Sequence, residues 1–426
     1  MKRRVTSGIL IIIMLMLTTL CPLAGCGTSA QTAAPTDLMK NIKPDQPNAG
    51  PVSAPGPNEA IADFAVRLFQ NSLAKDGNTL IAPVSVLSAL AMTANGAKGE
   101  TLTQMEKVCG LSTGELNEYL NAYLKSLPNG DKYKLHSANS IWFKDDDKVA
   151  VKQDFLQLNA DYYDAAVYKT AFNAAALKAI NAWISEQTEG MIKNMLSEIA
   201  PDAVMYLVNA LAFDAEWENI YTEVQVSDGS FTSAAGQKRV VKMMHGTEEM
   251  YLADGKATGF IKYYAGRKYA FVALLPDQGV AINDYVSSLT GAGLMNVLAK
   301  AQNVPVVTAL PKFKSEYAVT MNDTLRAMGM TDAFDPKLAD FTGLATMEGD
   351  LQGQNICISR LLHKTYIAVN EKGTQAGAAS VVEMGCGAAL EPPPKTVILD
   401  RPFVYMLIDC TSHLPLFIGM VTDIEA

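Results

Sequence analysis

Histidine is scarce in this chain, with four residues in 426. His136, His245, His363 and His413 are scattered, and none pairs with another His or a Cys at metal-ligand spacing, so no metal site and no cofactor is expected. Motifs for common chemistry are missing as well: there is no GxSxG elbow, no HExxH and no P-loop. Six cysteines include no CxxC pair. Charged residues make up only 19%, with no basic excess to suit nucleic acid: the formal net charge is −9, and loss of Lys2, Arg3 and Arg4 with a leader takes it to −12. What is abundant is apolar surface, 49% of the chain, with no linker after residue 58 long enough to separate two domains. One large domain over 58–426 is expected, and a monomer.

The N-terminus reads as export machinery. MKRR is a positive n-region, GILIIIMLMLTTL is apolar but short for a membrane span, and small residues follow, which marks 1–25 as a secretory signal. Leu23-Ala24-Gly25-Cys26 resembles a bacterial lipobox, in which Cys26 becomes the lipidated first residue; a plain secreted protein is the alternative. The expected location is therefore the outer side of a bacterial membrane, reached through a lipid anchor only. Residues 26–57 are rich in Pro, Ala, Gly and Ser and predict a disordered tether. Cys21 leaves with the signal and Cys26 carries lipid. For Cys109, Cys357, Cys386 and Cys410 free thiols are expected, with one bridge left open.

Beyond residue 58 helical and strand periods mix irregularly. NEAIADFAVRLFQNSL places Ile61, Phe64, Ala65, Leu68, Phe69 and Leu73 at helical spacing; 83–95 opens with Pro and is apolar nearly all round; ALKAINAWISEQTEG sets Leu177, Ile180 and Ile184 on one face and stops at Gly190. Short apolar runs at 205–213, 269–275, 304–310, 364–370, 403–408 and 415–421 read as strands, with a helix over 322–330. The class is α+β with several sheets.

One enzymatic trace needs weighing. Ser72-Leu73-Ala74-Lys75 fits SxxK, and Ser137-Ala138-Asn139 fits the second motif of penicillin-interactive serine hydrolases. The third motif, Lys-Thr/Ser-Gly, is missing, and with it the oxyanion side of such a site. Ser72 and Lys75 read better as the polar end of the first helix, and the chain is not expected to be an enzyme.

APVSVLSALAMTANGAKGET (82–101), INAWISEQTEGMIKNML (180–196), LVNALAFDAEWE (207–218), LPKF (310–313), LRAMGMTDAFDPKLADFTG (325–343), SRLLHKTYIAVNEKGTQAGAA (359–379) and DRPFVYMLI with LPLFIGMV (400–421) together resemble the serpins, in serpin order and spacing over nearly the whole chain from about residue 58. The resemblance implies three β-sheets with about nine helices and an exposed reactive-centre loop that baits a protease. Most serpins trap serine proteases as a covalent acyl-enzyme, some inhibit cysteine proteases, and a few inhibit nothing. The alternatives are a serpin-fold protein merely cleaved as a substrate, and, from another class, a surface lipoprotein serine hydrolase or ligand-binding protein.

EKGTQAGAASVVEM (371–384) stands where the resemblance places the hinge of that loop: Glu371, Gly373, Thr374, Gln375, Ala376, Gly377, Ala378 and Ala379. Its alternation suits a strand inserted into a sheet. Thr374, Ala376, Ala378, Ser380, Val382 and Met384 form one uncharged set; Gln375, Gly377, Ala379, Val381 and Glu383 form the other, which can meet water. Proline is absent from 371–391 and the run Pro392-Pro393-Pro394 ends any ladder.

By the resemblance the scissile bond lies sixteen residues past the hinge glutamate, which selects Gly387-Ala388, with Cys386, Ala389 and Leu390 as neighbouring alternatives. VVEMGCGAAL holds no Lys or Arg, which argues against trypsin-like targets and points to elastase-like or subtilisin-like ones. The resemblance further implies a pair between Glu371 and Lys312 with Trp217 close by, and a polar cluster of Ser85, Asn209 and His363 beneath the sheet centre. Two residues depart from the pattern: Ala82 stands for a usual serine, which would thin the cluster, and Met420 for a usual basic residue.

Overall fold

The computed structural model describes residues 34–45, 55–75, 77–200, 203–349, 353, 355–374 and 394–424. Among these are nine α-helices and three β-sheets, of seven, nine and two strands. No helix among the described residues is long and apolar enough to cross a membrane. The signal (1–25) and Cys26 lie outside the described residues.

Local chemistry accounts for the helices that flank the site. α1 (Pro55–Asn71) buries Ile61, Phe64, Ala65, Leu68 and Phe69. α2 (Pro83–Ala94) opens on Pro83, whose missing N–H falls among the unpaired donors of a first turn, and all twelve of its residues are buried. α3 (Ala174–Gln187) starts at Asn173, whose side chain accepts from the Ala175 and Ala176 amides, and it ends three residues before Gly190, which takes φ +77°.

The seven-stranded sheet positions everything that follows. Its strands are β1 (Thr36–Asp37), β2 (Tyr133–Lys144), β3 (Ala166–Thr170), β4 (Met205–Glu216), β5 (Phe313–Thr320), β6 (Arg360–Val369) and β7 (Gly373–Thr374), in the spatial order β1-β3-β2-β4-β7-β6-β5. One face packs on the main core: Leu207, Leu211 and Phe213 of β4 join Val86, Leu87 and Leu90 of α2 and much of the nine-stranded sheet. On the other face Ile180 and Ile184 of α3 lie in a second cluster with Trp142, Tyr206, Val208, Ala210, Ala212 and Leu362. Cover on both faces explains why MYLVNALAF is apolar without alternation.

β1 corrects the tether expected over 26–57. Thr36 and Asp37 pair with Lys169 and Tyr168, and the Leu38 amide donates to the Val167 carbonyl at 2.9 Å. Leu38, Met39 and Ile42 pack against the core, and the Asp45 amide reaches Asp161 at 2.7 Å. The compact unit therefore begins at Ala34 instead of residue 58. Composition misleads here because three apolar side chains suffice to seat twelve residues when a sheet edge is free to bond them.

Candidate functional site

β4 and β6 run parallel as direct neighbours from Tyr206/Arg360 to Ala212/Tyr366. Past that point β7 lies between them, antiparallel to both, with Gly373 opposite Glu216 and Thr374 opposite both Ala215 and Val369. A parallel seam with an antiparallel strand started at one end is a sheet with room for one more strand, since an inserted strand would exchange slanted parallel bonds for two antiparallel ladders.

Residues 370–374 are fixed atom by atom. The Asn370 side chain accepts from the Lys372 and Gly373 amides, turning the chain back. The Trp217 indole N–H donates to the Asn370 carbonyl at 2.8 Å, the Trp217 amide to the Lys372 carbonyl at 2.9 Å, and the Tyr221 amide to the Glu371 carbonyl at 2.9 Å. At Gly373 an added Cβ would sit 2.0 Å from the Ala215 carbonyl oxygen, so glycine alone fits. Thr374 is fully buried, its hydroxyl bonded to that of Tyr264, and Tyr264 stacks on Trp217 with ring centroids 4.4 Å apart. The inward direction of Thr374 sets the parity of every residue that could follow it into the sheet.

Lys312 and Glu371 form an ion pair at 2.5 Å, and the Lys312 ammonium holds the Glu371 carboxyl below the usual carboxylate range. Both side chains are about one-third exposed, so the pair is worth at most about 1 kcal/mol to stability.

Lower in the seam Asn209 of β4 faces His363 of β6 in register. The Asn209 amide donates to the Ser85 hydroxyl and to the Asn139 carbonyl oxygen. His363 Nε2 accepts from the Ala82 amide at 3.1 Å, which leaves Nδ1 protonated to donate to the Asn209 carbonyl oxygen at 2.7 Å. Ala82 thus joins the cluster through its backbone. Two bonds of Asn209 reach across from one strand to its neighbours, so parting β4 from β6 must break the bond to His363. Burial pushes the His363 imidazole down to about 3. A base buried neutral stabilises the native form fully above the free histidine range, and that contribution drains away as pH falls toward 3. Between pH 6.5 and 5 the expected loss is about 2 kcal/mol, read as a shift of the urea midpoint that His363→Gln abolishes.

The structure thus brings Glu371, Gly373, Thr374, Trp217 and Lys312 together at one end of the seam and Ser85, Asn209 and His363 along it. Gln375, Ala376, Gly377, Ala378, Ala379, Cys386, Gly387, Ala388, Ala389 and Leu390 lie outside the described residues. Sequence reasoning missed Asn139, Asn370, Tyr221 and Tyr264. Asn139 counted there as part of a hydrolase motif, but it bonds Asn209 and its neighbour Ser137, while Ser72 is buried against Met321 and Lys75 is exposed, so the SxxK piece and the Ser-Ala-Asn piece have separate partners. Met420 is buried in the main core, which suits an apolar side chain. Burial pushes the Cys109 and Cys410 thiols up to about 12, leaving them unreactive. Among the described residues no group of His, Cys, Asp and Glu could hold a metal ion.

From residue 59 to 424 the chain matches the family described as serpin (serine protease inhibitor). It belongs to the serpin family. Human Serpin B9 is 31% identical over 377 residues, covering 85% of this chain and 98% of its own, and an uncharacterized serpin-like protein of Thermococcus kodakarensis is 30% identical over 374 residues, covering 85% of each. Among solved structures, the native state of tengpin, a thermophilic serpin, is 43% identical with a TM-score of 0.87, covering 92% of this chain and 100% of that one. The latent state of tengpin is 42% identical with a TM-score of 0.75, covering 86% and 98%. This serpin is thus more similar to the native arrangement than to the latent one. Serpins are in general protease inhibitors that target serine proteases, although some members do not inhibit.

Proposed function

We propose that this serpin is inhibitory: a suicide substrate that traps serine proteases of small apolar specificity by inserting its reactive loop between β4 and β6. The observation that carries this reading is β7, where Gly373 and Thr374 occupy the first two rungs of the new strand and Thr374 points into the core. Continued in that register, Ser380 would fall beside Asn209, and Gly377 and Ala379 beside Ala212 and Ala210. The second pair lies on the face that α3 covers, so the residues assigned to water by alternation must fit beneath a helix, and small ones do.

The target's serine would attack the carbonyl of Gly387, or of a neighbour, and form an acyl-enzyme as with any substrate. Cleavage frees the hinge. If insertion outruns deacylation, the attached protease is carried along the sheet, and a displacement of about 1 Å at its active site is enough to slow hydrolysis by about 100-fold. The uncleaved form is then a kinetic trap. The exported, lipid-anchored location belongs to the same proposal and rests on 1–26. Incubation with elastase or subtilisin is expected to give a band that survives SDS at the summed mass of inhibitor and protease; cleavage with no such band would instead mark a serpin-fold substrate.

A further inference from the structure

Beneath the insertion point lies a buried ion pair that the function above does not use. Lys262, on the strand Ala257–Tyr263, has a side chain only 3% exposed, and its ammonium donates to Glu248 at 2.8 Å and to the Asn219 carbonyl at 3.2 Å. The same ammonium sits 4.3 Å from the centre of the Tyr221 ring and 5.3 Å from that of Trp217. One cation therefore touches three points of the short segment 217–221, which has no regular structure beyond a single bridge from Trp217 to Tyr264. That segment supplies the amides and the indole N–H that hold the carbonyls of Asn370, Glu371 and Lys372.

Stability alone does not account for such a pair. Two charges removed from water are commonly replaced by apolar side chains at no loss, so a buried lysine and glutamate are better explained by a geometry that only they enforce. An apolar residue at 262 would fill the space without fixing the Asn219 carbonyl or the planes of the two rings.

We propose that Lys262, braced by Glu248, is a positioning residue that holds segment 217–221 in the shape that fixes where the reactive loop enters the sheet. The proposal rests on reading β7 as the start of loop insertion. Its test is amide hydrogen exchange on the intact protein. In Lys262→Met/Glu248→Gln, which leaves no uncompensated charge, the Trp217 and Tyr221 amides are expected to exchange about tenfold faster, while the remote strand β3 (Ala166–Thr170), which pairs at the other end of the seven-stranded sheet, is unchanged. Lys262→Arg, which keeps a cation on both rings, is expected to stay within about threefold of the unaltered protein.

Unchanged exchange at 217–221, acceleration spread evenly over the domain, or Lys262→Arg exchanging as fast as the double variant would each overturn the proposal. No protease enters this measurement. Failure of the unaltered protein to form an SDS-stable complex would count against inhibition alone.

Discussion

Thr374→Arg is expected to turn the inhibitor into a substrate: elastase or subtilisin should cut it at an undiminished rate, with the SDS-stable complex reduced at least about tenfold. Thr374 is fully buried, and its hydroxyl meets that of Tyr264 between the sheet and the aromatic stack. A guanidinium placed there has no carboxylate within the cluster to receive it, and an unpaired buried charge costs several kcal/mol, enough to expel residue 374 from the sheet in the uncleaved protein and to oppose its return when the loop inserts. Once insertion is slower than deacylation, the protease leaves with its product. Gln375→Arg is the control, because its side chain has the opposite parity. If both arginines act alike, the register read from β7 is wrong.

The second large effect is thermal. Cleavage of the bait by a protease, followed by removal of that protease, is expected to raise the melting temperature by roughly 20 °C or more. About ten new ladder hydrogen bonds at roughly 0.5–1.5 kcal/mol net each, with burial of small apolar side chains in addition, give on the order of 10 kcal/mol. That equals the whole stability of many domains, and it exists because the native sheet leaves its central seam parallel and unfilled. A nicked protein that melts no higher than the intact one would remove the energetic basis of the inhibition proposed above. Differential scanning calorimetry of the two forms decides it.

Both expectations draw on features that were legible to different degrees before any coordinates. The strands Tyr269–Pro276, Phe403–Asp409 and Pro415–Val421 follow directly from their apolar runs, because each is buried on both faces and the residues have nowhere else to go. By contrast Tyr133–Lys144 and the sixteen-residue strand Lys238–Ala253 are not announced by such runs: YKLHSANSIWFK and KRVVKMMHGTEEMYLA are too polar, since many positions of each are half-buried or exposed. Their pairing is set by neighbours distant in the chain, which no local period encodes. The seating of Leu38, Met39 and Ile42 escaped for the same reason: three apolar residues in a polar segment carry no period, and only the free edge of β3 gives them a partner.

The candidate site divides likewise. The absence of proline from 371–391, the uncharged set that alternates from Thr374 to Met384 and the lack of Lys and Arg around Gly387 are properties of the chain itself, and they underlie the proposed insertion and the proposed small apolar specificity. Tertiary structure alone decided where that strand can go. It set Gly373 so close to the Ala215 carbonyl that an added Cβ would sit 2.0 Å from its oxygen, turned Thr374 inward onto Tyr264, and brought Asn139, Ser85 and His363 around Asn209 from four separate stretches of sequence. Composition and alternation act over neighbouring residues and survive in the sequence; a gap between two parallel strands is a relation between residues about 150 positions apart, created only when long-range packing fixes the register.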